Sequence, residues 1–171
     1  MNLYSSLSVA RYFVERAAAE GRKLTNLELQ KLVYFAHGWH LAIIGQPLID
    51  EFVEAWDYGP VAPELYHALK PYGSGSIPKD SPLFEQCALP MEPHTTDILE
   101  SVWKRYKGLT PARMVALTHQ PRSPWSITKK RYEGRRGADI PDSLIEKHFL
   151  VLAGTSTPEE YELFNPWEWG G

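Results

Sequence analysis

Six histidines and one cysteine are the residues of this chain best able to hold a metal or to serve as base or nucleophile. His37 and His40 stand three apart, a spacing that puts two imidazoles on one face of a helix. A zinc site needs further ligands, and no His-Glu-x-x-His pattern supplies them. His40 also falls in register with apolar neighbours, where a hydrogen-bonded core histidine is the ordinary role. Cys87 lies in a proline-flanked loop with no adjacent base to make a thiolate. No Gly-x-Ser-x-Gly elbow is present. Gly73-Ser-Gly-Ser lacks both the Lys-Thr pair and the preceding strand of a phosphate loop. Spacing alone brings no two carboxylates together. His119 completes the candidates for chemistry and has no evident partner. The expectation is a protein without catalytic, cofactor or metal residues, and not an enzyme.

Aromatic residues, 12% of the chain, are the other class able to carry function, by binding rather than bond-making. Trp56, Tyr58, Tyr66 and Tyr72 gather around a Gly59-Pro60 turn, and Trp125 follows His119. Trp167 and Trp169 stand in a polar tail. Aromatics near turns serve as protein-binding hot spots, and they serve equally well as corners of a core. Charge is segregated. Residues 1–103 carry −6, residues 104–136 carry +9 and residues 137–171 carry −6, for a net −3. The basic segment, ending in Lys129-Lys130-Arg131 and Arg135-Arg136, reads as a site for nucleic acid or an acidic protein. It reads also as a solvated face balanced by acidic neighbours. The overall pI of about 6.1, well under the roughly 9 of dedicated nucleic-acid binders, favours the balanced face.

The elements that must position these residues come next. With 171 residues, 43% of them hydrophobic, the chain is long enough for one domain with a real core. No apolar run nears the roughly 18–20 residues of a membrane span; the longest, 32–44, is broken by His37, Gly38 and His40. No secretory leader is visible at the start. A single cysteine excludes an internal disulfide, so the expected compartment is the cytoplasm.

Val9, Phe13 and Ala17 recur at intervals of four, predicting a helix from Ser6 to Glu20 that Gly21 ends. Thr25-Asn-Leu-Glu28 is a capping box with a Leu24/Leu29 staple. The helix it opens buries Leu29, Leu32, Val33, Ala36, His40 and Ile43, stops at Gly45 and is apolar enough all round to be central. Phe52–Trp56 predicts an extended arm, part of a minor hairpin near residues 48–58, followed by a turn at Tyr58-Gly59-Pro60-Val61. Short helices follow at 61–70, 95–107, 111–119 and 124–131, the last two opened by Thr110-Pro111 and Ser123-Pro124. Residues 71–93 read as loop-rich, with 73–82 a mobile surface loop, and 133–139 as a Gly- and Arg-rich loop. Ile140-Pro141 starts a last core helix with Leu144, Ile145, Phe149 and Leu152 inward. The fold expected is mainly α: a single compact domain of six to seven helices over residues 1–154, with a 155–171 tail that has room for one short helix.

The string Leu24-Thr25, Leu29-Gln30-Lys31-Leu32-x-Tyr34, Gly38-Trp39-x-Leu41 and Glu54-Ala55-Trp56-x-Tyr58-Gly59-Pro60-Val61-x-Pro63-x-x-Tyr66 resembles the Panacea domain of SocA-like antitoxins. Leu117-Thr118-His119, followed by Pro124-Trp125, is similar to that family's second signature. The resemblance implies a mostly helical cytoplasmic protein of bacteria, plasmids or prophages, encoded beside a toxin. It implies neutralisation of that cognate toxin by direct binding. The Trp-Glu-Trp-Gly-Gly tail, a short terminus able to dock elsewhere, leaves two routes open, masking of the toxin or delivery to a protease with this protein as adaptor. No membrane partner and no cofactor are implied. Some relatives carry an added DNA-binding segment; here too little sequence precedes Ser6 for a helix-turn-helix. Trp56, Tyr58, Gly59, Pro60, Val61, Tyr66, His119 and Trp125 then stand as partner-binding or motif-framework residues. Specificity would fall to 73–93, Lys129–Arg136 and the tail. The alternative is a nucleic-acid-associated transcriptional regulator using residues 104–136.

Overall fold

The computed structural model describes residues 3–133 and 135–168. Gly134 of the expected basic loop and Trp169 of the tail, with the two glycines after it, lie outside the described residues.

Helix α1 (Ser6–Ala19) begins where the Ser5 side chain accepts from the Ser8 amide. The Glu51 carboxylate also caps it, accepting from the Ser6 amide at 2.6 Å and the Ser6 hydroxyl at 2.5 Å. A negative group there meets both unsatisfied amides and the positive end of the helix dipole. Strand β1 (Leu24–Thr25) runs into α2 (Asn26–Ile44) through the expected capping box, with both reciprocal hydrogen bonds present. Gly45 ends α2 in the left-handed conformation.

Helix α2 is the axis of the molecule. It packs against α1, against α3 (Pro63–Leu69), α4 (Pro93–Tyr106), α5 (Pro111–Thr118) and α7 (Asp142–Leu152). Phe13, Leu32, Phe35, Leu99, Trp103 and Phe149 form the centre of one continuous apolar cluster. Phe35 and Tyr106 stack with ring centroids 4.0 Å apart. At Gly38 the backbone of α2 meets the ring of Phe149, where an added Cβ would lie 2.1 Å from a ring carbon. Only glycine permits that approach.

A three-stranded antiparallel sheet crosses one end of this bundle, in the order β3 (Gly59–Val61), β2 (Val53–Trp56), β5 (Ala138–Ile140). The hairpin register pairs Glu54 with Val61 and Trp56 with Gly59. The turn is therefore Asp57-Tyr58, and Gly59–Val61, expected as turn and helix start, is a strand. Residues 138–140, expected as the end of a loop and the start of the last core helix, form β5, pairing Val53 with Ile140 and Ala55 with Ala138. A segment of three residues offers too short a run for alternation to be read. The 71–93 segment is also less free than expected. Its β4 (Ser76–Ile77) pairs with β1, and Ile77 and Phe84 are buried. Helix α6 (Pro124–Arg131) joins α5 to the sheet. Helix α8 (Pro158–Leu163) docks by Tyr161, whose hydroxyl donates to the Arg122 carbonyl at 2.6 Å.

Eight α-helices are present among the described residues, and the sheets are small, so the fold is mainly α. Two residues expected inside face out: Ile43 is 58% and Leu152 46% exposed. Each sits in the last turn of its helix. Among the described residues no helix is long and apolar enough to cross a membrane.

Candidate functional site

The first turns of α2 place Asn26, Gln30 and Lys31 beneath the β2–β3 hairpin. Gln30 fixes the hairpin's exit: its Oε1 accepts from the Ala62 amide at 3.0 Å, and its Nε2 donates to Asn26 Oδ1. Lys31 is fully buried and donates to the Pro60 carbonyl at 3.2 Å. Burial pushes its ammonium down to about 7, since an apolar surround disfavours the charged form. Gly59 lies over both groups at φ +110°, and a Cβ there would stand 2.7 Å from Thr118 Oγ1 and 2.9 Å from Lys31 Cε. The glycine is needed twice, for its backbone angle and for the space it leaves.

The second signature docks against the first. The Trp125 indole N–H donates to the Trp56 carbonyl at 2.6 Å. His119 stacks on Trp125 with centroids 3.8 Å apart and planes within 5°. Burial, then the nearby Lys31 and Lys129, hold His119 below the usual imidazole value. Its Nε2 is buried with no hydrogen-bond partner among the described residues. Ser123 closes the α5–α6 corner by donating to the Thr118 carbonyl. The Trp56 ring meets Tyr66 edge-on at 4.8 Å and donates its N–H to Glu54.

The structure thus brings Trp56, Gly59, Pro60, Val61, Tyr66, His119 and Trp125 into one junction between α2, the hairpin and α6. Tyr58 alone stands out at the hairpin tip, 73% exposed. The junction is open on one side as a cleft of about 660 Å³, walled by Leu27, Trp56, Tyr58, Val61 and Tyr66, with Lys129 and Arg136 also lining it. Two residues of this site were not singled out from the sequence as functional. Lys31 enters the sequence reading only as part of a motif string, since a lysine on a helix is ordinarily solvated. Glu54 likewise fills a specific role, accepting from the Trp56 indole.

The other candidates for chemistry are engaged in the framework. His37 accepts the Leu48 and Ile49 amides at Nδ1 and contacts Asp142 through Nε2 at 2.8 Å. His40 Nδ1 meets the Gln46 carbonyl at 2.6 Å. Among the described residues no cluster of three or more His, Cys, Asp or Glu is placed to hold a metal ion. Much of the basic segment is engaged as well. Lys107 pairs with Glu20, Arg122 with Glu162 and Lys129 with Asp57. Arg105 lies over Trp39, Arg131 over Trp167 and Arg135 over Tyr132.

Residues 29–126 match the family model described as antitoxin SocA-like, Panacea domain. The match contains the whole junction from Gln30 to Trp125. Among curated proteins, the chain is similar to Antitoxin SocA of Caulobacter vibrioides (strain NA1000 / CB15N). The two are 34% identical over 127 residues, covering 70% of this chain and 68% of that protein. No solved structure matches.

Proposed function

The chain belongs to the SocA-like Panacea family of antitoxins, and from that premise we propose that it neutralises a cognate toxin by direct protein–protein binding, without chemistry of its own. The observation that carries this reading is the junction itself. Residues within the matched segment build a rigid corner and leave an aromatic cleft open beside it, the kind of anchored, preorganised surface on which binding energy concentrates. Residues 1–154 form the binding domain in this reading, and 155–171 is an accessory tail. The pairing of the basic segment with acids and rings of its own chain supports protein binding over a nucleic-acid role.

The test is co-expression with the product of the adjacent gene. The reading expects growth to be restored and the two proteins to elute together on gel filtration. Persistent toxicity with no complex would contradict it. Delivery to a protease is the finer form of the reading. It expects the toxin's half-life to shorten when this protein is present, whereas simple masking leaves it unchanged.

A further inference from the structure

Lys31 is a buried amine without a counter-ion. Its side chain is fully buried, and the Pro60 carbonyl is the acceptor it has found. An ammonium carries three N–H donors. Among the described residues no carboxylate makes an ion pair with it, because the cleft's two acids are engaged elsewhere: Glu54 accepts from the Trp56 indole, and Asp57 pairs with Lys129. A lone buried charge is costly, and a methionine of similar length would fill the same space without that cost. Lys31 also lines the cleft whose walls are Trp56, Tyr66, Val61 and Leu27. Lys129 and Arg136 stand on the same cleft, so cations outnumber its acids.

We propose that Lys31 is the recognition cation of this cleft, and that the cleft takes a toxin segment presenting a carboxylate on or beside an aromatic or large apolar side chain. The apolar walls receive the hydrophobic part, and the carboxylate supplies the missing half of the ion pair. The amine is closed to water in the free protein. The flexible four-carbon stem of lysine lets it leave Pro60 and swing to the incoming acid. Water exclusion then strengthens the pair. This inference rests on the toxin-binding reading and names the chemistry of the segment recognised.

The experiment compares wild-type protein with Lys31→Met. The variant should melt at or above the wild-type temperature and bind the adjacent gene's product roughly 30-fold or more weakly, as expected for loss of one partner of a desolvated charge pair. Wild-type affinity in a folded Lys31→Met protein overturns the proposal. So does failure of the variant to fold, which would assign the lysine to the framework. A second arm needs no toxin. The Lys31 Cε resonance of the wild-type protein is followed during titration with 3-phenylpropionate and with its uncharged amide. A shift with the acid and none with the amide supports the proposal; no shift, or the same shift with both, overturns it. Absence of any complex between wild-type protein and the adjacent gene's product would instead strike the toxin-binding reading, with the titration still deciding the chemistry of the cleft.

Discussion

Along α2, the turns that carry Gln30 and Lys31 and the turns that carry Phe35 and Gly38 face different kinds of neighbour. The later turns meet α4 and α7 through rings and aliphatic side chains, with Tyr106 stacked on Phe35 and Phe149 pressed against Gly38. Apart from the His37–Asp142 contact and the Trp39 N–H on the Tyr106 hydroxyl, such a surface asks for shape, and many apolar combinations satisfy it. The earlier turns meet the hairpin through buried polar groups, a glutamine bridging to the Ala62 amide and a lysine on the Pro60 carbonyl, and α6 adds the Trp125 indole on the Trp56 carbonyl. Each needs one particular partner. The motif string runs through both ends, and the contrast explains its residue types: a glycine, Gly38, where a ring must approach, and Gln30 and Lys31 at the polar end. It also explains why that end holds an open cleft: directional bonds fix a corner without having to fill it.

If the apolar end depends on shape, filling Gly38 should have the largest effect. Gly38→Ala is expected to cost about 3 kcal/mol in denaturant unfolding, with part recovered by Phe149→Leu in the same chain. A cost near zero would mean that the helices separate easily and that the contrast is overdrawn. At the polar end, Gly59→Ala must adopt an unfavourable φ and meet Thr118 and Lys31. A loss of about 2 kcal/mol is expected, accompanied by weaker neutralisation.

The pH dependence separates the two ends without a change of shape. Lys31 sits at about 7 in the fold against an ordinary value of 10.5, so unfolding takes up a proton between these values. Stability should therefore be lowest below pH 7 and rise as pH climbs towards 10.5, by on the order of 1–2 kcal/mol between pH 7 and pH 9. The charged and titratable groups about the same junction are Glu54, Asp57, His119 and Lys129. Lys31→Met should flatten this part of the profile, and an unchanged slope would remove the lysine as its cause.

Trp125→Phe keeps the ring against His119 and removes the N–H to Trp56. It should cost about 1 kcal/mol and loosen the hairpin, seen as faster amide exchange at 56–59. The smallest effect is expected in the tail. Trp167→Ala loses the contact with Arg131 and Tyr132 and should cost about 0.5 kcal/mol, with neutralisation unchanged. A large loss of neutralisation there would move the binding surface away from the junction.

The features legible in the sequence were local ones. The Thr25 capping box, Gly45, and the Ser/Thr-Pro starts of α5 and α6 each satisfy helix ends within a few residues, so the chain declares them without knowing its neighbours. What stayed hidden depends on distant partners. Strand β5 exists because Val53 and Ala55 are there to pair with it, and Ile77 is buried because β1 offers a ladder. Ile43 and Leu152 hold helical register yet lie exposed. The aromatic members of the candidate site were legible as a motif. The burial of Lys31 was not, because lysine on a helix is ordinarily solvated, and only the hairpin laid over it removes the water.

In the proposed reading this chain works by presenting the hairpin–α6 junction to a toxin. Amide hydrogen exchange on the complex with the adjacent gene's product should then show added protection over 54–61 and 124–131, with the α2–α4 contact around Phe35 and Tyr106 unchanged. No complex, or protection confined to other parts of the surface such as 78–92, would contradict it.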